Sequence, residues 1–337
     1  MFRNFSYIIL TLCSVLAINA QTTFSVEKFN EVKSSVEKIK ENVDLLQVWT
    51  NDNNIEDNIK QDIFFYSQYS LLLNNHVDFN LELFNKCIAE QYNKNNQYAA
   101  AASLTLANLY AMNNQFVLAI KHSKDIILHY NYLKEKDPYL MAYANCIIGH
   151  SYIGKYEFES AYEPLKESLN YFQPKDSLDN MYSLALTDLA TIESNKVDFN
   201  SAYKYSKLAT RLRGITFGEK STAYAASAYI LSASSLGLEK YDEAIRYGNV
   251  VLNYYKDNVI NDSINRSQIE YVVGRSHFAL NNIPKAYEHL NSAFNYFPLY
   301  IKTENIIYAK ILNELGLVYR DLGNFSKALE LVRNLFF

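Results

Sequence analysis

The residues able to do chemistry in this chain are few and dispersed. Six histidines occur, His76, His122, His129, His150, His277 and His289. Even His122 and His129, seven residues apart on one predicted helix, lack a nearby cysteine or a clear carboxylate partner. Zinc sites gather three or four such ligands, so packed or solvated imidazoles are expected and no metal. Cys13, Cys87 and Cys146 form no Cys-x-x-Cys pair, and Cys87 and Cys146 could bridge only if the fold brought them together. Buried small apolar thiols are the expectation. No Gly-rich phosphate loop, His-Glu-x-x-His or Gly-x-Ser-x-Gly motif occurs. Lys134-Glu135-Lys136-Asp137 reads as a solvated junction, and Asn261-Asp262-Ser263 and Asn265-Arg266-Ser267 have the form of glycosylation sequons. No catalytic residue, cofactor or metal is assigned, and the chain reads as a non-enzyme.

The elements available to position side chains are helices. Of 337 residues 49% are hydrophobic, while Gly (9) and Pro (5) are scarce, which disfavours a sheet fold with its punctuated turns. A net charge of −4 gives no global pull toward nucleic acid or anionic membrane. Residues 1–20 read as a secretory signal peptide: Arg3 near the start, an apolar run from Tyr7 to Ala17, and Ile18-Asn19-Ala20 before Gln21. The run is short for a bilayer span, and Leu12 stands before Cys13 where a lipoprotein leader wants a small residue. No second run of spanning length follows. The mature chain is expected to be soluble and exported, periplasmic or extracellular, with no integral membrane segment.

Over 21–54, Phe29, Val32, Val36, Ile39, Val43 and Leu46 fall on one helical stripe. The spacing predicts an amphipathic helix capping the end of a larger array; a coiled-coil seam is the other reading it allows. Helices near Ile55–Leu73 and Phe79–Tyr92 follow. The chain then becomes periodic. An Ala recurs at 119, 161, 202, 244, 286 and 328, at intervals of 42, 41, 42, 42 and 42 residues. Three residues before each stands Phe116, Phe158, Phe199, Tyr241, Ile283 or Phe325; twelve before each stands Ala107, Gly149, Ala190, Ser232, Gly274 or Gly316. The residue preceding each of these small ones is bulky: Leu106, Ile148, Leu189, Leu231, Val273 and Leu315.

Two antiparallel helices cross closely only where a small side chain meets a larger one, so the small column marks a crossing inside each unit. One helix pair cannot bury its own apolar face, whereas a stack buries a continuous core. The array is predicted over 55–337 as about seven units: a degenerate one at 63–96, then 100–133, 142–175, 183–216, 225–258, 267–300 and an incomplete one at 309–337. The degenerate unit rests on the echo of Val197-Asp198-Phe199-Asn200 in Val77-Asp78-Phe79-Asn80, with Ser70 as its small residue and Glu82 in the Ala column.

These columns resemble the tetratricopeptide repeat (TPR), a helix-turn-helix unit of about 34 residues. Leu315-Gly316, Tyr319, Gly323, Phe325 and Ala328 match it in the last unit, and Val273-Gly274, Ala286, Ala293 and Pro298 in the one before. The longer interval, with junctions such as Phe217-Gly218-Glu219-Lys220 and Lys136-Asp137-Pro138-Tyr139, is similar to the kinesin-light-chain type of repeat. The resemblance implies an all-α fold, a right-handed superhelical solenoid of the bacterial exported type, whose first helices line a concave groove gripping a peptide or partner protein. By register the groove candidates are Asn108, His150, Thr191, Asn195, Gln268, Arg275, Lys310, Asn313 and Arg320. Arg275, Lys310 and Arg320 would make the C-terminal end of that groove basic. The carboxylate-clamp type of ligand is not carried over, because Leu104 stands where its Lys would be. The resemblance also implies an alternative, the sensory or regulatory front end of a larger protein: a sensor histidine kinase, a helix-turn-helix regulator or a CHAT-type peptidase. Leu331, Leu335, Phe336 and Phe337 close the sequence without a polar-faced capping helix, so self-association through this uncapped repeat is a further expectation.

Overall fold

The computed structural model describes residues 24–73, 81–94, 97–132, 136–173, 178–258, 263–297 and 306–333. The leader at 1–20, His76, the Val77–Asn80 echo, Lys134-Glu135, Asn261-Asp262, Pro298 and Leu335–Phe337 lie outside them. The described residues form seventeen α-helices, one short 3-10 turn and no strand. They fall into two compact units, Met1–Ile147 and Ile148–Phe337.

The first unit contains α1 (Val26–Val32), α2 (Val36–Glu41), α3 (Val43–Thr50), α4 (Asp57–Leu73), α5 (Leu81–Asn93), α6 (Gln97–Met112) and α7 (Phe116–His129). The division falls within α8 (Pro138–Gly154). The stripe over 21–54 is therefore three helices and not one. Ser35 takes an extended backbone, and its hydroxyl accepts the Lys38 amide, starting α2 afresh. Asn42 leaves helical geometry and turns its amide back to the Lys38 carbonyl, separating α2 from α3. Phe29, Val32, Ile39 and Leu46 of the stripe still pack inward, and beside them Trp49 is fully buried, with Phe24 and Phe29 edge-on at 5.4 and 6.2 Å. Ser70, read as a crossing residue, instead donates to the Ile39 carbonyl at 2.6 Å, so its crossing is with α2. Cys87 and Cys146 are both thiols, Cys146 fully buried.

The second unit continues with α9 (Phe158–Phe172), α10 (Asn180–Asn195), α11 (Phe199–Phe217), α12 (Thr222–Gly237), α13 (Tyr241–Asp257), α14 (Ser263–Ala279), α15 (Ile283–Tyr296), α16 (Ile306–Asp321) and α17 (Phe325–Arg333). The small column faces the Ala column at the crossings. A Cβ on Gly149 would stand 3.2 Å from the Ala161 carbonyl oxygen and 2.4 Å from Leu165 Cγ. Ser232 donates to the Ala244 carbonyl at 2.7 Å, and Gly316 lies under the Ala328 carbonyl. Ala161, Ala202, Ala244 and Ala286 have no exposed surface. Consecutive hairpins share their apolar side chains: Tyr271 packs against cores contributed by α12–α14 and by α15–α17.

A further column emerges at the turn inside each hairpin. Asn114, Tyr156, Val197, Glu239, Asn281 and Gly323 all have positive φ, between 58° and 77°. Each stands five residues before the column Ala. The next residue's amide bonds five residues back, as from Asp198 to the Glu193 carbonyl at 2.9 Å and from Asn324 to Tyr319 at 2.8 Å. This is the Schellman closure, which satisfies the last carbonyls of the first helix. In α17 the buried residue is Leu331, while Phe325 (69% exposed), Leu329 and Val332 face outward. Phe325, in the column three residues before Ala328, is thus exposed.

Candidate binding face

In the second unit, polar side chains tie the first helices of neighbouring hairpins at three junctions, α8–α10, α12–α14 and α14–α16. His150 Nδ1 on α8 meets Asp188 Oδ2 on α10 at 2.9 Å. Tyr229 on α12 donates its hydroxyl to Gln268 Oε1 on α14. Arg275 Nε on α14 pairs with Glu314 Oε1 on α16 at 3.0 Å. Two of these pairs obey one register rule. The residue after the small column, His150 or Arg275, reaches the residue two before the small column of the next hairpin, Asp188 or Glu314. At the two intervening junctions the same positions hold Thr191 and Ile230, and Ala233 and Val272. A polar tie is thus made where the sequence supplies both partners.

Burial sets the electrostatics of these ties. The nearly buried Asp188 carboxylate holds His150 above the usual imidazole range, against the opposing effect of burial. Burial pushes the Glu314 carboxyl up, and the Arg275 guanidinium pulls it back only in part. Tyr271, beside both, is pushed up to about 12, mainly by burial.

The other candidates are engaged locally or exposed. Thr191 donates to the Thr187 carbonyl and Asn195 to the Thr191 carbonyl, both within α10. Arg320 is held by its neighbour Asp321 at 2.7 and 2.8 Å. Lys310 and Asn313 are exposed on α16, and Lys310 has no ion pair among the described residues. Of the three cations expected at this end, two face carboxylates and Lys310 alone does not. Asn108 belongs to the first unit, where its amide reaches Met112 Sδ at 3.8 Å.

Asp188, Tyr229 and Glu314 were not singled out from the sequence. The available signal was an acid set inside an apolar run just before a bulky-small pair, in Thr187-Asp188-Leu189-Ala190 and Asn313-Glu314-Leu315-Gly316. Four other described histidines are packing residues: His122 stacks on Tyr110, His129 on Tyr92, and His277 on His289, whose Nδ1 meets Glu270 at 2.7 Å. Among the described residues no group of three His, Cys, Asp or Glu side chains is placed to hold a metal, and no helix is long and apolar enough to cross a membrane.

No protein-family model and no curated protein matches the chain. Solved structures do. A Rap protein complexed with competence and sporulation factor aligns over 92% of this chain and 95% of its own, at 12% identity and a TM-score of 0.51. The apo form of RapI aligns over 81% and 95%, at 12% identity and 0.50. A putative kinesin light chain with nearly identical TPR-like repeats from Podosopora anserina aligns over 60% and 95%, at 16% identity and 0.45. Likeness at these identities is likeness of fold: the chain is an all-α stack of TPR-like helical hairpins.

Proposed function

We propose that this chain is a non-catalytic binding scaffold that captures a segment of a partner protein along the first-helix face of its second unit. One observation carries the reading: His150–Asp188, Tyr229–Gln268 and Arg275–Glu314 tie successive first helices. Polar groups on that face are thereby held at fixed spacing before a partner arrives, which lowers the ordering cost of binding. Asn195, Lys310 and Asn313 stand exposed on the same helices as contact groups. The Rap protein of similar fold that was solved with competence and sporulation factor supports a ligand-holding role. The leader-like composition of residues 1–20 supports capture outside the cytoplasm.

Photo-crosslinking from single positions in the native host tests the reading. A photoreactive residue at Asn195 or Asn313 is expected to give one shared partner band, and the same residue at Glu159, exposed on the second helix α9, none. Equal bands from all three positions would contradict it.

A further inference from the structure

The opposite side of the hairpins carries a second feature. Helix α11, Phe199–Phe217, contains Lys204, Lys207, Arg211 and Arg213 and no acidic residue, in a chain of net charge −4. Arg213 is buried and structural, its guanidinium on Ser183 Oγ and the Ala223 carbonyl. The other three line a groove of about 770 Å³ between α11 and α13, together with Arg246 and a single carboxylate, Glu219. A hollow of about 260 Å³ adjoins it, sharing Lys204 and Leu208 and adding Lys166.

The cations are arranged for an incoming anion. Lys204 and Arg211 are exposed and have no carboxylate partner among the described residues. Arg246 is held by Tyr247 instead, its Nη2 2.5 Å from the phenol oxygen and its guanidinium 4.5 Å from the ring centroid. Glu243 partly neutralises Lys207 at 3.4 Å and acts through space on Arg246 as well, which leaves Lys204 and Arg211 as the open charges. Between the charges the floor is apolar, with Leu208 and Ile215, the latter 59% exposed. A single-stranded nucleic acid would stack its bases on open aromatic faces. Here Tyr224 and Tyr247 are buried, and Lys240 Nζ lies 3.6 Å from the centroid of the Tyr203 ring.

The geometry points to a docking groove on the second-helix face, between α11 and α13, for an acidic polypeptide segment that alternates carboxylates with apolar side chains. Lys204, Arg211 and Arg246 receive the carboxylates, and Leu208 and Ile215 the apolar anchors. Charge complementarity selects this occupant. The groove is separate from the first-helix face and stands or falls independently of it.

Fluorescence anisotropy on the full chain tests the assignment, with a labelled peptide of alternating Glu and Leu as probe. The peptide is expected to bind, and to bind at least tenfold more weakly to Lys204→Glu plus Arg211→Glu, two exposed side chains whose replacement leaves the core untouched. Lys204→Ala plus Arg211→Ala should lose less, and Lys310→Glu on the first-helix face nothing. No binding, equal affinity for the wild type and both double variants, or tighter binding of a labelled single-stranded oligonucleotide would overturn the assignment.

Discussion

Arg275 falls in the groove register, yet its guanidinium is committed to Glu314, a carboxylate only 11% exposed. Removing one member of such a pair leaves the other desolvated without compensation, whereas replacing both by apolar groups need cost little. Arg275→Gln is therefore expected to destabilise the chain by about 2 kcal/mol in urea unfolding. Arg275→Met with Glu314→Met should recover most of that loss. A single variant as stable as wild type would mean that the tie contributes nothing. The sequence discloses Arg275 but not its partner, because helical register tells which residues share a face and not which atoms meet across a hairpin boundary. The same limit hid Asp188 and Tyr229 behind His150 and Gln268.

At the scale of the helix the legible and the hidden parts separate along physical lines. The small and Ala columns were readable because close crossing restricts side-chain volume: Gly149 has no room for a Cβ beside Leu165. The turn column was not readable. Its requirement is a left-handed backbone, and here Asn, Tyr, Val, Glu and Asn meet it where glycine would advertise it; Gly323 alone does so. The three-way break of the N-terminal stripe was equally silent, since Ser35 and Asn42 act through caps without disturbing apolar periodicity. Val197 is the most strained of these turns, a β-branched residue at φ 63°. Left-handed backbone costs about 1–2 kcal/mol without glycine, and Val197 is 67% exposed, so little packing is lost on its removal. Val197→Gly is expected to stabilise the chain by about 1 kcal/mol, read as an upward shift of the thermal midpoint. A downward shift would show that the strain is already relieved by the surrounding turn.

At the scale of the whole chain, the repeat determines which surfaces are available to a partner. Each hairpin of the second unit buries its apolar side against the next, and the stack presents faces and grooves built by neighbouring hairpins. Periodicity disclosed that architecture. It could not disclose which side is polar by contact, because the ties and the α11 groove depend on pairings between hairpins. The reading proposed for the first-helix face is capture of the partner. Its most direct measurement is the affinity of the partner recovered by crosslinking, determined by isothermal titration calorimetry against Asn195→Ala, Lys310→Glu and Asn313→Ala combined, all exposed and outside the core. A loss of at least tenfold is expected for that triple variant, about 1.4 kcal/mol, and no change for Lys204→Glu plus Arg211→Glu. Undiminished affinity in the triple variant, or its loss only in the α11 double variant, would contradict it.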